Sequence, residues 1–590
     1  MGLKLAIKLH GEGNIELAEK HYLRALKQKS YHPSLFQNYG ALLRKRGDKK
    51  KAYQIYDAGL KLFPDSREIL LNRANLDLEE CPTSAIRTYL RLLHDDLINS
   101  SDQEILQSSL QRCVSALREL GMPLASFLLL KNYSRYIEFN GPLVMNLLLL
   151  LRNSELRSCL QLDTNTKNLA LSKNLFALAD REVVDYPFME QVELRFSLAS
   201  CFLQLSMDAE ASFQYKTGTE LINNLPELSV DDREKLQTIV TVHSWNYSCS
   251  LLKNQDFAKG WKLFDYGLLT PAPGPQRWQR SLSKPFDNDE LPVLKHQNIH
   301  GKRLLLLEEQ GVGDAMQFLT LLPSILDKVQ YVGICLCKRL LSVYTKSFSD
   351  EISSGKVVLH LFEHVLDNSL KYQDYDYQLP MGSLPQLLEP DPCSFHPKVP
   401  ILKTDDNKAS ELKNQYLSKA NSIRKIVGIS WRGGGKADRI KMKSPPEDDF
   451  LKIISGFPDI LFVSLQYGES GKTIEKWSKT IPNIVYDSRF NPLKNLDEWL
   501  IQVKACDAVL SVANTTIHGA GGLNIPTLCL LSKHADWRWF SSENVDTSYW
   551  YPSVGIARQS SNTISWNSVI SQSRKWLSQS CPLPKGVFTG

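Results

Sequence analysis

The chain has 590 residues, of which 43% are hydrophobic and 23% charged, and its formal net charge is +6. This length exceeds that of one ordinary domain, and the composition argues against a disordered protein. The mild positive charge does not indicate a nucleic-acid-binding protein, which would carry a concentrated basic face, so we expect no nucleic-acid partner.

The cysteines and the longest apolar run indicate which classes of protein this chain does not belong to. The 11 cysteines are scattered, without CxxC pairs or zinc spacing, so we expect reduced cysteines and no metal site. The most apolar run, residues 143–151, spans nine residues and includes Asn146. This run is too short to cross a bilayer, so a soluble, cytoplasmic protein without a membrane span is predicted.

Small and aromatic residues recur 34 positions apart near the N-terminus. The matched pairs are Gly13 and Gly47, Ala18 and Ala52, Tyr22 and Tyr56, Asn38 and Asn72, and Gly40 and Ala74, with Ala85 and Tyr89 in a weaker third copy. Small residues let two helices approach closely, while tyrosines fill the groove between them. The pattern resembles the tetratricopeptide repeat and predicts stacked helix pairs over residues 1–100.

Helical periodicity continues over residues 101–269 while the repeat decays, which predicts degenerate repeats or a connecting helical region. The segment TPAPGPQRW at residues 270–278 is rich in proline and glycine and predicts the main domain boundary.

Short apolar runs alternate with longer amphipathic segments beyond this boundary, as expected for buried parallel strands covered by helices. The runs are residues 303–307, 329–336, 356–361, 426–431, 460–466, 508–512 and 527–531. A stretch rich in proline, aspartate and lysine at 391–425 separates two groups of strands. We therefore predict two Rossmann-like lobes, residues 278–400 and 420–590, with a cleft between them.

The segment EEQGVGDAMQF at residues 308–318 runs from a predicted strand into a predicted helix. Glycines at the carboxyl end of a strand allow a tight turn that leaves helix N–H groups free for an anion. The third glycine of a dinucleotide fingerprint would fall at Met316, so the segment is not that motif. Asp314 lies near the helix N-terminus, where an aspartate usually acts as a cap.

The segment SVANTTIHGAGG at residues 511–522 forms a second strand–helix junction. Its polar and small residues are Asn514, Thr515, Thr516, His518 and Gly519. Hydroxyl and amide side chains beside the positive end of a helix suit a diphosphate. The competing interpretation is ordinary capping by Asn514 or Thr515, with His518 a packed histidine.

The segment WRGGGKADRIKMKS at residues 431–444 carries three consecutive glycines and five basic residues. It is not a phosphate-binding P-loop, because Ser430 replaces the upstream glycine and Ala437 the final Ser or Thr. Its place after a predicted strand favours a ligand-binding loop, with a solvated basic loop as the alternative.

The order of these segments resembles that of the bacterial heptosyltransferase-like glycosyltransferases of family 9, especially the branch with a fused tetratricopeptide region. EEQGVGDAMQF is similar to that branch's EQGxGDxxQF signature, and DWRWF followed by WYPSVGIARQ is similar to its C-terminal pattern. The resemblance is strong from Arg277 onward and weak over residues 101–238.

This resemblance implies a GT-B fold and an inverting, metal-independent transfer of sugar from a nucleotide donor. It implies that Asp314 is the general base and that Lys443 neutralises the donor phosphate. Glu469 falls near a position that contacts the ribose. The other residues that we predict to bind the donor are Gly311, Gly313, Gln317, Arg432, Asn514, Thr515, Thr516, His518 and Gly519.

The chain departs from the heptosyltransferase pattern at one position. Ala513-Asn514 stands where those enzymes usually have Asp-Thr, so the resemblance does not name the donor sugar. No carboxylate pair of the DxD type is placed to hold a metal, so we expect a nucleotide sugar as substrate and no cofactor.

Several alternatives stay open at this stage. The acceptor is a glycan or a protein recruited by the repeat region, and a homodimer remains open because repeat surfaces often dimerise. The rival function is a non-enzymatic tetratricopeptide scaffold with a degenerate sugar-nucleotide domain, whereas an epimerase would lack the EQGxGD and DWRW patterns. The aromatic cluster Trp537, Trp539, Trp550 and Tyr551 favours packing over stacking on a base or sugar.

Overall fold

The computed structural model describes most of the chain. The described ranges are residues 2–99, 103–133, 187–204, 207–224, 227–269, 298–361, 363–366, 369–388, 400–419, 422–434, 442–468, 470–533, 535–540, 546–560 and 565–584, with isolated positions between them. The chain forms two compact units, one of residues 1–201 with 218–222 and the other of residues 202–217 with 223–590.

The elements described in the first unit are helices. Its helices are α1 (Gly2–Gly11), α2 (Ile15–Lys27), α3 (Pro33–Lys45), α4 (Lys49–Leu62), α5 (Arg67–Glu80), α6 (Pro82–Asn99), α7 (Gln103–Glu119) and α8 (Pro123–Tyr133). The chain passes between the two units within α9 (Phe188–Gln204) and α10 (Asp208–Asn223).

The 34-residue pattern corresponds to helix pairs in this unit. Gly13 and Gly47 end two turns with φ of +78° and +82°, a conformation that favours glycine. Gly40 lies against Tyr56 of the next helix, and a Cβ atom added there would lie 2.3 Å from the tyrosine ring. Tyr22 and Tyr56 are fully buried. The predicted role of small and aromatic residues in packing the repeats is therefore confirmed.

The described helices directly before the strands of the second unit are α11 (Val230–Lys253), α12 (Phe257–Phe264) and α13 (Tyr266–Leu269). Trp245 of α11 and Trp261 of α12 belong to the same buried cluster as the first strands. We predicted the main boundary at residues 270–278, which lie outside the described residues. This boundary therefore stays a prediction. The second compact unit includes the three helices, whose aromatic side chains bury apolar surface against the α/β region.

The first sheet is parallel, with strand order β3-β2-β1-β4. Its strands are β1 (Arg303–Leu307), β2 (Tyr331–Leu336), β3 (Val357–Leu361) and β4 (Tyr377–Pro380). The helices of this part are α14 (Val312–Leu319), α15 (Pro323–Leu326), α16 (Lys338–Ser347), α17 (Ser349–Ser353), α18 (Glu363–Leu366) and α19 (Leu384–Leu388).

The second sheet is also parallel, with strand order β10-β9-β8-β5-β6-β7. Its strands are β5 (Lys425–Ser430), β6 (Ile460–Ser464), β7 (Ile484–Val485), β8 (Ala508–Val512), β9 (Thr527–Leu531) and β10 (Val554–Arg558). The accompanying helices are α20 (Asp406–Leu417), α21 (Glu447–Ile454), α22 (Gly471–Ser478), α23 (Leu496–Lys504), α24 (Thr515–Gly522) and α25 (Asn567–Ser578).

The predicted fold class, a helical repeat region followed by a parallel α/β region, is confirmed. The runs that became β1, β8 and β9 match their strands at both ends. We did not predict β4, β7 or β10 from the sequence. The β4 segment YQLP contains proline, the β10 segment VGIAR contains glycine, and β7 has only two residues. Within the described part of the chain, every helix is too short or too polar to traverse a lipid bilayer.

Candidate functional site

A cavity of about 330 Å³ lies where loops from both sheets meet. Its walls are formed by residues 310–314 after β1, residues 513–515 and His518 after β8, residues 536–539 after β9, Lys443 after β5, and Trp245 of α11. The loops follow the carboxyl ends of their strands, which is where open parallel sheets bind ligands. The cavity therefore coincides with the segments that the sequence singled out.

Two helix N-termini face this cavity. Helix α14 begins after Gly311, and α24 begins after Asn514. The first N–H groups of a helix have no acceptor within it, and the helix dipole adds partial positive charge there. Val312 and Thr515, in these two first turns, both line the cavity. The arrangement suits an anionic ligand with several oxygens.

Asp314 both caps its helix and lines the cavity. Its Oδ2 atom accepts a hydrogen bond of 3.0 Å from the backbone N–H of Gly311. Its Oδ1 atom lies 2.6 Å from a guanidinium nitrogen of Arg538. The capping role expected of an aspartate at this position is thus present, and the carboxylate is at the same time part of the cavity wall.

Arg538 is the centre of a charged cluster in the cavity. Besides Asp314, its guanidinium contacts the Gln310 side-chain oxygen at 2.6 Å and approaches Asp536 at 3.6 Å. The group also lies over the Trp537 ring, 4.6 Å from the centroid. Burial lowers the pKa of Arg538, but the two carboxylates outweigh it and the net shift is upward. Arg538 is therefore a fixed positive charge at this site.

Lys443 and Asp536 extend the cluster. The Lys443 Nζ atom lies 3.6 Å from an Asp536 oxygen. Burial opposes ionisation of Asp536, but the charges of Arg538 and Lys443 prevail, so the pKa of this carboxyl lies below its usual range. Both carboxylates of the cavity are thus matched with cations, and Lys443 adds a second positive charge at the wall.

The Asn514 side chain is engaged in holding the turn before α24. Its amide nitrogen donates to the Ser430 hydroxyl and the Arg432 carbonyl, at 2.7 and 3.2 Å. Its oxygen accepts from the Thr516 N–H and the Ser511 hydroxyl, at 2.9 and 3.2 Å. Both amide protons thus have acceptors, and the oxygen is held by the Thr516 N–H and shares the Ser511 proton with the Val512 carbonyl. The capping interpretation therefore describes Asn514, and the turn presents its backbone to the cavity.

His518 lies at the back of the cavity between α14 and α24. A Cβ atom added to Gly313 would lie 2.7 Å from the imidazole Cδ2, so only glycine lets the two helices approach this closely. The His518 Nδ1 atom lies 3.1 Å from the Tyr551 hydroxyl. Burial lowers the pKa of His518 to about 4. The carboxylates of Asp314 and Asp536 act to raise this pKa, but burial and the charge of Arg538 outweigh them. The imidazole is neutral at pH 7.

The loop after β5 is held at both ends. The Gln466 oxygen accepts from the backbone N–H groups of Trp431 and Arg432, at 3.0 and 2.9 Å. The Ser444 hydroxyl accepts from the Gly433 N–H at 3.0 Å, which joins the two ends of the loop beside Lys443. Residues 435–439 lie outside the described residues.

Not every predicted donor-binding residue reaches the cavity. Gln317 and Thr516 are buried in the packed interior behind it. Gly519 packs against the Trp499 ring, where an added Cβ atom would lie 2.9 Å away. Arg432 is exposed beside Gly468 and does not line the cavity. Glu469 lies outside the described residues, so its predicted ribose contact stays a prediction.

The structure also places residues in the cavity that sequence reasoning had not assigned, namely Trp245, Gln310, Asp536 and Arg538. The segment DWRWF was used only for its resemblance to a family pattern, and no role was predicted for Asp536 or Arg538. Both residues follow β9 at the end of the sheet where ligands bind. Trp537 and Trp539 are buried, as packing predicts, and they also line the cavity. Trp245 carried no local signal, because it lies in a helix far upstream of the strands.

Comparison with known proteins gives a family match in the repeat region and a partial match to one curated protein. The tetratricopeptide repeat family matches residues 33–76. Protein FlbA of Caulobacter vibrioides is 26% identical over 268 residues, which cover 44% of this chain and 43% of FlbA. The chain thus matches less than half the length of this relative.

Solved glycosyltransferases are similar to about half of the chain. ADP-heptose lps heptosyltransferase II of E. coli is 13% identical, with a TM-score of 0.33, over 47% of this chain and 99% of that one. A family 9 glycosyl transferase of Veillonella parvula is 10% identical, with a TM-score of 0.30, over 47% and 93%. The strand orders of the two parallel sheets define the α/β fold.

The match to the repeat family and the fold define the class of protein. It has a tetratricopeptide repeat near the N-terminus and an α/β region of two parallel sheets, with a polar cavity at the carboxyl ends of their strands.

Proposed function

We propose that this protein is a glycosyltransferase that moves a sugar from a nucleotide-sugar donor to a glycan or protein acceptor. The observation that supports it best is the convergence of two helix N-termini, Lys443 and Arg538 on one cavity that also holds the Asp314 carboxylate. The helix N-termini and the two cations suit a diphosphate, which needs N–H donors and positive charge. The Asp314 carboxylate suits an acceptor hydroxyl, which needs a base.

The diphosphate of the donor binds at the start of α24, with the Thr515 N–H and the Lys443 ammonium beside it. The leaving nucleoside diphosphate gains negative charge in the transition state. Preorganised N–H groups and cations stabilise this charge more than they stabilise the bound substrate. These groups supply the stabilisation without a metal ion. The two carboxylates of the cavity each contact Arg538, which also favours a metal-independent reaction.

Asp314 acts as the general base. Its carboxylate accepts the proton of the acceptor hydroxyl while the hydroxyl oxygen forms a bond to the anomeric carbon of the donor. The bond from that carbon to the diphosphate oxygen breaks, and the nucleoside diphosphate leaves with the electron pair. Attack from the opposite face inverts the anomeric centre. Each carboxylate oxygen has a second lone pair beyond its contact with Gly311 or Arg538, so the base site is available.

The repeat region recruits the acceptor in this proposal. Tetratricopeptide repeats present extended surfaces that suit a polypeptide or a long glycan. The match to the repeat family over residues 33–76 supports this role. The proposal includes both a glycan and a protein as the acceptor.

Thermal unfolding with a panel of UDP, GDP, ADP and CMP sugars tests the donor. A ligand present at about 100 times its Kd should stabilise the protein by about 2.7 kcal/mol. We expect one nucleotide class to raise Tm and Lys443→Gln to lose the shift. The control Lys403→Gln, which removes a surface ion pair with Asp350, should retain it. Failure of every donor to raise Tm would instead favour a non-enzymatic scaffold.

A further inference from the structure

A tyrosine hydroxyl behind the cavity contacts the histidine in its wall. The Tyr551 hydroxyl lies 3.1 Å from the Nδ1 atom of His518. Both side chains are deeply buried, with exposed fractions of 1% for Tyr551 and 8% for His518. Such a contact determines which imidazole nitrogen carries the proton, because a neutral imidazole donates from one nitrogen and accepts at the other.

The hydrogen-bonding needs of Tyr551 select one tautomer. Among the described residues, His518 Nδ1 is the only hydrogen-bond partner of its hydroxyl. If Nδ1 carried the proton, the tyrosine proton would be buried without an acceptor, at a cost comparable to a lost hydrogen bond. Burial raises the pKa of Tyr551, which keeps the hydroxyl protonated. The hydroxyl therefore donates to Nδ1, and the imidazole proton resides on Nε2.

The Nε2 atom lies on the edge of the imidazole ring that faces Gly313. The Cδ2–Nε2 edge of the imidazole faces Gly313, and a Cβ atom added there would lie 3.3 Å from Nε2. Gly313 and His518 both line the cavity. Within the described residues, the structure gives Nε2 no hydrogen-bond acceptor, although the neutral ring carries its proton there. This N–H group is a donor in the wall between the two helix N-termini.

We propose that Tyr551 is a positioning residue, which fixes His518 in the Nε2–H tautomer so that this N–H donates to an oxygen of the bound diphosphate. The identity of the ligand rests on the proposed function, whereas the tautomer does not. A neutral donor at this position supplements the helix N–H groups and Lys443 without adding a further buried charge.

Histidine tautomers are measurable by NMR of the full chain labelled with 15N-histidine. The chain has 12 histidines, and the spectrum of His518→Gln assigns the resonances of interest. We expect a protonated Nε2 and an unprotonated Nδ1 for His518 in the wild type. Tyr551→Phe should produce a mixture of tautomers. The matched control is Tyr344→Phe, since Tyr344 is also fully buried and its hydroxyl has no partner among the described residues.

Titration with inorganic pyrophosphate tests the link to binding. We expect about tenfold weaker binding by Tyr551→Phe and unchanged binding by Tyr344→Phe. A proton on Nδ1 in the wild type would overturn the proposal, and this spectrum needs no variant to fold. Equal tautomer and affinity in Tyr551→Phe and wild type would overturn it as well. If neither pyrophosphate nor any nucleotide sugar binds the wild type, the diphosphate role and the proposed function fail together, while the spectrum still decides the tautomer.

Discussion

The guanidinium of Arg538 lies 2.6 Å from the Asp314 carboxylate, and this ion pair joins the segment after β1, where α14 begins, to the segment after β9. Strand β1 belongs to the four-stranded sheet and β9 to the six-stranded sheet. The pair therefore connects the two halves of the α/β region at the cavity. The ion pair places Asp314, the proposed base, beside the segment after β9 that carries Asp536 and Arg538.

Replacing Asp314 separates catalysis from donor binding. Asp314→Asn keeps an oxygen that accepts from the Gly311 N–H but removes the base, so turnover should fall at least about a hundredfold. Donor affinity, measured by thermal shift, should change little. The control Asp405→Asn makes the same change at the N-terminus of α20, outside the cavity, and should retain activity. Full activity of Asp314→Asn would mean that Asp314 is only a helix cap.

Removing Arg538 should destabilise the protein. Arg538→Gln leaves Asp314 and Asp536 without their shared cation. Because these side chains are only 13–22% exposed, the loss of stability should exceed the value of about 0–1 kcal/mol that is typical of an exposed pair. Chemical denaturation measures this loss. Arg489→Gln is the control, because Arg489 is 58% exposed in its pair with Asp487 and should cost about 0–1 kcal/mol. Equal losses in the two variants would contradict the central role of Arg538.

The two glycines of the GVGD turn should differ in their tolerance of alanine. A Cβ atom at Gly313 would lie 2.7 Å from His518, so Gly313→Ala must displace the ring or α14 and should abolish most activity. A Cβ atom at Gly311 meets only the Asp314 oxygen at 3.3 Å, so Gly311→Ala should be milder. Initial rates and Tm of both variants check this order. The reverse order would show that the close approach of α14 and α24 is not needed.

Chelation tests the metal-independent mechanism. No group of three or more His, Cys, Asp or Glu side chains within the described ranges could hold a metal ion. We expect initial rates to be unchanged in excess EDTA, because cations and helix N–H groups stabilise the leaving diphosphate. Inhibition by EDTA that Mn²⁺ restores would contradict the proposed mechanism.

Acid should destabilise the protein through His518. Burial lowers its folded-state pKa to about 4, below the ordinary value of 6.5. The unfolded chain therefore takes up a proton first as the pH falls. Stability should decrease between about pH 6.5 and pH 4, by about 3 kcal/mol for this group. Denaturation of the wild type and His518→Gln as a function of pH measures the contribution. Parallel curves for the two proteins would show that His518 is not buried in its neutral form.

The local pattern of the chain was sufficient to predict the elements that carry the site. The 34-residue spacing of Tyr22 and Tyr56 reflects helix pairs that pack on their neighbours in sequence. Apolar runs such as residues 508–512 predicted fully buried strands, because both faces of a parallel strand are covered. The turns at Gly311 and Asn514 followed from the same local rules.

Tertiary structure decided which side chains meet. Arg538 reaches Asp314, and Tyr551 reaches His518, across long separations in sequence, and no local pattern marks either contact. Folding also assigned Asn514 to the turn itself. Secondary structure depends on neighbouring residues, whose spacing is visible in the sequence. The chemistry of the cavity depends on loops that converge only after both sheets have formed, so their packing selects the partners, charges and tautomers of its residues.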